Sequence, residues 1–244
     1  MTLGLVTVGQ APRTDVTEDL SDLLDGVRVV EHGALDGFGP ENLERIAGAA
    51  KKSLDERARV HVLQTRLADG RSIVYRETDA IPLTQQAVGR AARDGASAVL
   101  IACTGTFPPF DAPVPVLYPQ RLLQQVVLAV HDGGPVALLT PDEAQREDQV
   151  GRWSRVLRNG TSIASYAVSP YRPEGMDQLA HVATTLNADP PHLVVMDCIG
   201  YTRAMRARIA GVLPAGRPVL TAREVAVRMT MAVAGDVGAV SLAS

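Results

Sequence analysis

The chain has 244 residues, 46% of them hydrophobic and 4% aromatic, and its 27 acidic side chains against 24 basic ones give a formal charge of −3. That length builds one large α/β unit or two smaller lobes, each burying its own core. The mild acidity, with no basic block and no aromatic-basic interleave, excludes nucleic acid as a partner.

No apolar run reaches the roughly 18–20 residues of a membrane span, so no membrane partner is expected. The run Met1-Thr2-Leu3-Gly4-Leu5-Val6 has no basic segment before it and reads as a first strand, not a signal peptide. The expected location is therefore cytoplasmic. There the two cysteines, Cys103 and Cys198, stay reduced.

Leu3 to Val8 is a buried strand ended by Gly9-Gln10-Ala11-Pro12-Arg13. A helix should follow, with Val16, Leu20, Leu23 and Leu24 on one face and Gly26 as its C′ residue. Val27 to His32 is a second strand. Pro40 then opens a helix at the position where its missing N–H costs nothing, with Leu43, Ile46, Ala47, Ala50 and Leu54 as its buried stripe.

The β-α rhythm breaks at about 59–77. Two strand-like runs flank Asp69-Gly70, a hairpin signal that predicts a type I′ turn. A helix over about Pro82 to Asp94 leads to the apolar run Ala98-Val99-Leu100-Ile101-Ala102, which ends at Cys103-Thr104-Gly105-Thr106. The proline-rich stretch after it is loop. Val114 to Leu117 is a short strand, and Leu122, Leu123, Val126, Val127 and Val130 stripe the next helix.

The second half repeats the alternation. Val136 to Thr140 is a strand, and a helix follows with Val150, Trp153, Val156 and Leu157 inward. Ser162 to Val168 is the next strand. Met176, Leu179, Ala183 and Leu186 then mark a helix that leads to Leu193-Val194-Val195-Met196-Asp197-Cys198. A helix over about Thr202 to Ala210, a strand at Pro218-Val219-Leu220 and a last helix complete the chain. Thr221-Ala222-Arg223-Glu224 gives that last helix a capping box.

The fold class is α/β: two similar lobes, each a mostly parallel sheet flanked by helices, with a β-hairpin inserted in the first. The lobes are placed at 1–132 and 133–220, with the helix at 221–235 expected to pack back on the first.

Both cysteines end continuous apolar runs of the kind buried on both faces of a parallel sheet, and each is followed by one residue and a glycine. The carboxyl edge of such a sheet is where ligands bind. A thiolate is a competent base and a thiol a competent acid, so a matched pair suits removal of a proton from one face of a stereocentre and its return to the other. The competing reading is that each cysteine is a small buried hydrophobe. Thr104, Gly105 and Thr106 after Cys103, and Gly200, Tyr201 and Thr202 after Cys198, offer hydroxyls and amides for a carboxylate. Gly9, Gln10 and Arg13 after the first strand, with Thr140 at the matching place in the second lobe, extend the candidate site.

No cofactor is expected. The five histidines lack metal-ligand spacing, and neither a P-loop nor a G-x-G-x-x-G occurs.

At these residues the chain resembles the AroM family. The likeness is carried by Leu5-Val6-Thr7-Val8-Gly9-Gln10-Ala11-Pro12-Arg13, Ala68-Asp69-Gly70, Cys103-Thr104-Gly105 and Met196-Asp197-Cys198-Ile199-Gly200-Tyr201, in that order and across the chain. That family is similar, more distantly, to the aspartate/glutamate racemase superfamily. The resemblance implies two pseudo-symmetric lobes with a cysteine from each in the cleft between them. It further implies Cys103 and Cys198 as an acid/base pair and Thr104 and Thr202 as carboxylate contacts. One departure is that the superfamily's Asn-Thr after the first cysteine is Thr104-Gly105 here.

The leading expectation is a cofactor-independent racemase or epimerase of an amino acid or related small carboxylic acid. The alternatives are a single-cysteine isomerase or decarboxylase, or a non-catalytic carboxylate-binding or sensor protein. The expected partners are a small carboxylate substrate and a second copy of the chain in a homodimer.

Overall fold

The computed structural model describes residues 1–56 and 60–235. The start of the expected hairpin at Arg59 lies outside them. The described chain divides into two compact units, Met1–Tyr118 with the chain from Val227 on, and Pro119–Ala226.

The first unit holds β1 (Thr2–Thr7), α1 (Thr14–Thr17), β2 (Arg28–Gly33), α2 (Pro40–Asp55), β3 (Val62–Arg66), β4 (Ser72–Arg76), α3 (Glu77–Arg93), β5 (Ala98–Ile101) and β6 (Val116–Leu117). Its main sheet runs β2-β1-β5-β6, and all three pairings are parallel. The chain leaves β1 toward β2 and returns on the far side of β1 to form β5. The crevice at the carboxyl ends of β1 and β5 is thus the point where strand order reverses, the ligand-binding position of open α/β sheets. Hairpin β3–β4 forms its own two-stranded antiparallel sheet.

The second unit holds α4 (Pro119–Val130), β7 (Val136–Thr140), α5 (Glu143–Val156), β8 (Ile163–Ala167), α6 (Gly175–Ala188), β9 (Leu193–Met196), α7 (Arg203–Ala210), β10 (Val219–Thr221) and the first turns of α8 (Ala222–Gly235). Its parallel sheet has the order β8-β7-β9-β10, the same pattern as the first. Its own reversal lies between β7 and β9.

Side chains alternate across a strand, and in this unit they sort into two cores. Val136, Leu138, Leu193 and Val195 pack with Leu123, Val127 and Trp153. Ala137, Leu139, Val194 and Met196 pack with Leu179, Val182, Leu186 and Ile209. The first of these cores draws α4 into the second unit, whereas the sequence reading drew the boundary after it, at 132.

Several local expectations are corrected. Helix α1 is four residues long, and the chain from Glu18 to Val27 winds on as turns, with Ser21 N–H on the Glu18 carbonyl and Leu23 N–H on Leu20. The segment is crowded with Thr, Asp and Ser, whose side chains compete for backbone groups and weaken a helix. Val16 and Leu20 are still buried. Helix α3 starts at Glu77 and carries Pro82 inside it. At this sixth helical position proline removes the bond its N–H would make to the Thr78 carbonyl and crowds that carbonyl, yet the helix runs on through it. The hairpin turn has three residues, not the two of a type I′ turn. Leu67 N–H reaches the Arg71 carbonyl, Gly70 N–H reaches the Leu67 carbonyl, and Gly70 takes φ +84. Leu54, Val130 and Met176 are exposed, each sitting in an end turn of its helix.

No helix among the described residues is long and apolar enough to cross a membrane.

The largest fully buried side chain is Trp153, and its indole N–H donates to Asp197 Oδ2 at 2.8 Å. Trp153→Phe removes a hydrogen bond to a buried carboxylate, expected to cost about 2 kcal/mol in urea unfolding; a loss below a few tenths would show that Asp197 does not depend on it.

Candidate active site

In each unit the parallel ladder stops before the cysteine. Ile101 and Met196 are the last strand residues, and Cys103 and Cys198 lie two residues further on in the chain's departure from the sheet. Both turns then do the same thing. Gly105 N–H donates to Cys103 Sγ at 3.3 Å, and Gly200 N–H donates to Cys198 Sγ at 3.4 Å. A donor aimed at sulfur stabilises the thiolate over the thiol. Cys103 is half-buried and Cys198 buried, and both are free of disulfides.

In the first unit the hairpin covers the reversal point. Leu63 lies against Gly105, and a Cβ on Gly9 would fall 2.1 Å from the Arg66 carbonyl oxygen, so only glycine lets β1's exit pass under β3. Tyr75, fully buried on β4, donates its hydroxyl to the Val8 carbonyl at 2.5 Å. Desolvation pushes its phenol far above the ordinary range, and negative charge at Cys103 and Asp79 pushes the same way.

Two expected substrate contacts turn out to be committed to the scaffold. Gln10 donates to the Leu35 and Phe38 carbonyls, each at 3.3 Å, and accepts from Ala68 N–H at 3.1 Å, bracketing the hairpin to the loop after β2. Arg13 is 2% exposed and grips Asp15 with both arms of its guanidinium, at 2.7 and 2.8 Å, while reaching Thr7 Oγ1 at 3.3 Å. An internal carboxylate thus occupies the fork expected to clamp a substrate. Thr104 is buried beside Cys103, and Thr106 is exposed.

In the second unit the wall is the loop at 169–174. Tyr171 places its hydroxyl 3.4 Å from Cys198 Sγ. A Cβ on Gly200 would fall 2.6 Å from the Tyr171 ring, so ring and turn are in close contact. The loop is tied down by Tyr171 N–H to Ser169 Oγ, by Ser169 N–H to Gln178 Oε1, and by Arg172 to Asp142 at 3.1 Å.

Tyr201, expected to face substrate, is fully buried and donates to the Val168 carbonyl at 2.7 Å. Burial raises its phenol well above the ordinary value, with Cys198, Asp197 and Tyr171 adding to the effect. Thr140 is likewise buried, with its hydroxyl toward the Tyr166 carbonyl at 3.5 Å. Thr202 caps α7, its hydroxyl oxygen accepting from Met205 N–H at 3.2 Å, and it retains an O–H to donate. Asp197 turns away from Cys198 to Trp153, as strand alternation predicts.

Sequence reasoning missed Tyr171 and Arg223. Fully buried Arg223 donates from Nε to the Ile199 carbonyl at 2.8 Å and from Nη2 to the Gly200 carbonyl at 3.2 Å, holding the turn that carries Cys198. Its available signal was a cation two residues past the short strand β10, in the first turn of α8. Among the described residues, no group of three His, Cys, Asp or Glu is placed to hold a metal ion.

Two parallel α/β units of one strand order give the chain the aspartate/glutamate racemase-like fold. Solved structures share it. Aspartate racemase from Picrophilus torridus matches at TM-score 0.55 and 12% identity, over 96% of this chain and 94% of that one. Allantoin racemase from Klebsiella pneumoniae matches at 0.59 and 12%, over 96% and 89%. Unliganded arylmalonate decarboxylase matches at 0.58 and 15%, over 96% and 92%. At these identities the likeness establishes the fold. The chain belongs to the AroM family, matching the AroM protein description over residues 3–234. No curated protein matches the sequence.

Two outcomes follow. Gln10→Ala should speed hydrogen exchange across β3 and β4 while leaving β1 protected, because it releases only the hairpin's bracket; equal acceleration in both would refute that role. The two buried tyrosines keep their protons in the folded state at pH values where an unfolded tyrosine, ionising near 10, loses its own. Their stabilisation is therefore whole below pH 10 and declines above it, by about 1.4 kcal/mol per pH unit for each. Denaturant unfolding of Tyr75→Phe and Tyr201→Phe should show a shallower alkaline decline than the parent protein.

Proposed function

We propose that the protein is a cofactor-independent racemase or epimerase of an amino acid or related small carboxylic acid, with Cys103 and Cys198 as its acid and base. The observation that carries this reading is the repeated turn, in which each sulfur accepts the N–H of the glycine two residues on at the matching strand end. The racemases and the decarboxylase among the similar structures support the same class of chemistry.

In the proposed reaction one thiolate takes the proton from the carbon next to the carboxylate. The electron pair left behind spreads into that carboxylate, and the second thiol gives its proton to the opposite face. The first sulfur ends as thiol and the second as thiolate, so the pair is set for the reverse direction. Thr104 and Thr202 are the proposed carboxylate contacts, acting as hydroxyl donors beside the two turns.

The Tyr171 hydroxyl on Cys198 favours a second reading, in which Cys198 alone does the proton transfer of an isomerase or decarboxylase.

Candidate amino acids incubated with the protein in deuterated water should exchange the α-proton, followed by NMR. Cys103→Ala and Cys198→Ala should each slow that exchange by about 100-fold or more, the usual scale of a lost general acid or base. If both variants exchange at the parental rate, the reading fails. If Cys198→Ser is inactive while Cys103→Ser keeps most turnover, the single-cysteine reading replaces it.

A further inference from the structure

The groups around Cys198 sort into those that serve the sulfur and those that do not. Asp197, its neighbour in sequence, turns to Trp153 on the other face of the sheet. Tyr201 is fully buried and spends its hydroxyl on the Val168 carbonyl. Arg223, from the start of α8, grips the carbonyls of Ile199 and Gly200. Sγ itself is met by the Gly200 N–H at 3.4 Å and by the Tyr171 hydroxyl at 3.4 Å.

Tyr171 is not held there by the hydroxyl alone. Its backbone is pinned by Ser169, the next residue is paired to Asp142 at the cap of α5, and its ring rests on Gly200. The phenol is thus delivered to the sulfur by a loop anchored to both α5 and α6.

We propose that Tyr171 is a positioning residue for Cys198, donating its phenolic proton to the sulfur and holding the side chain as a ready thiolate. A phenol is the stronger donor of the two groups, and a charged acceptor shortens and strengthens such a bond. When Cys198 is protonated by substrate the bond weakens, so Tyr171 favours the state in which Cys198 acts as base. This assignment rests on the proposed racemase chemistry for its purpose, but the contact can be read without turnover.

The test is iodoacetamide labelling of the whole protein across pH, with Cys198 and Cys103 resolved by peptide mass spectrometry. Tyr171→Phe keeps the ring on Gly200 and removes one oxygen. Its Cys198 midpoint should rise by about one pH unit, a roughly tenfold loss of labelling rate near neutrality, the scale of one hydrogen bond to a charged group. Cys103 should be unmoved and serves as the internal control. Arg172→Ala, which keeps the phenol but frees its loop from Asp142, should shift Cys198 the same way by less. A Cys198 midpoint that stays put or falls in Tyr171→Phe overturns the assignment, as does an equal shift at both cysteines. The labelling shift without isotope exchange on any substrate would sink the racemase reading and leave Tyr171's role standing.

Discussion

The backbone hydrogen bonds of a parallel sheet end where its ladder ends, and every N–H past that point must find another acceptor. Here the ladder runs out at Ile101 and Met196. Just past it, Ala102 N–H still donates to the Val6 carbonyl on β1 and Asp197 N–H to the Leu139 carbonyl on β7, the last bonds each segment makes to its neighbouring strand before it leaves. Two residues beyond each cysteine, a glycine N–H is left to the sulfur. A thiol is a weak acceptor and a thiolate a strong one. The departing backbone's demand for a hydrogen-bond partner is thus met by a sulfur, in the same contact made twice.

The walls around the two turns are built differently from the same materials. In the first unit an inserted hairpin lies over the exit of β1, bracketed by Gln10 and closed by Tyr75 on the Val8 carbonyl. In the second, the loop at 169–174 brings Tyr171 to the sulfur, and Tyr201 closes on the Val168 carbonyl. Each unit therefore keeps one fully buried neutral tyrosine near its cysteine. Burial keeps these phenols protonated even at alkaline pH where an exposed tyrosine ionises, because an unpaired phenolate out of water is costly. They act as fixed dipoles in the wall. The second unit adds Arg223, a buried cation that spends its donors on the carbonyls of the very turn that presents Cys198.

The strands were legible because a strand buried on both faces must be a short apolar run, and β1, β5, β7 and β9 are such runs with little else they could be. The hairpin was legible from Asp69-Gly70, though its turn carries one more residue than the dipeptide suggested. The helix after β1 was not. Its apolar spacing was right, and Val16 and Leu20 are buried, but the Thr, Asp and Ser between them dissolve the helix into turns. Periodicity reports which side chains face inward; it does not report whether the backbone between them can stay helical.

The sequence by itself determined the α/β class, the two hairpin strands, and the placing of each cysteine where an apolar run gives way to glycine. These depend on local pattern, which survives any arrangement of the rest. Only the tertiary structure decided what the neighbouring polar residues do. Arg13 and Gln10 stand beside the first strand in a way that invites a ligand. Folding instead brings the Ala68 amide, from the distant hairpin, to the glutamine, and buries the arginine with its fork closed on Asp15, two residues along the chain. Tyr171 is 27 residues before Cys198 in the chain and 3.4 Å from its sulfur in the fold. A polar side chain takes whichever partner the packing supplies, and packing is a property of residues distant in sequence.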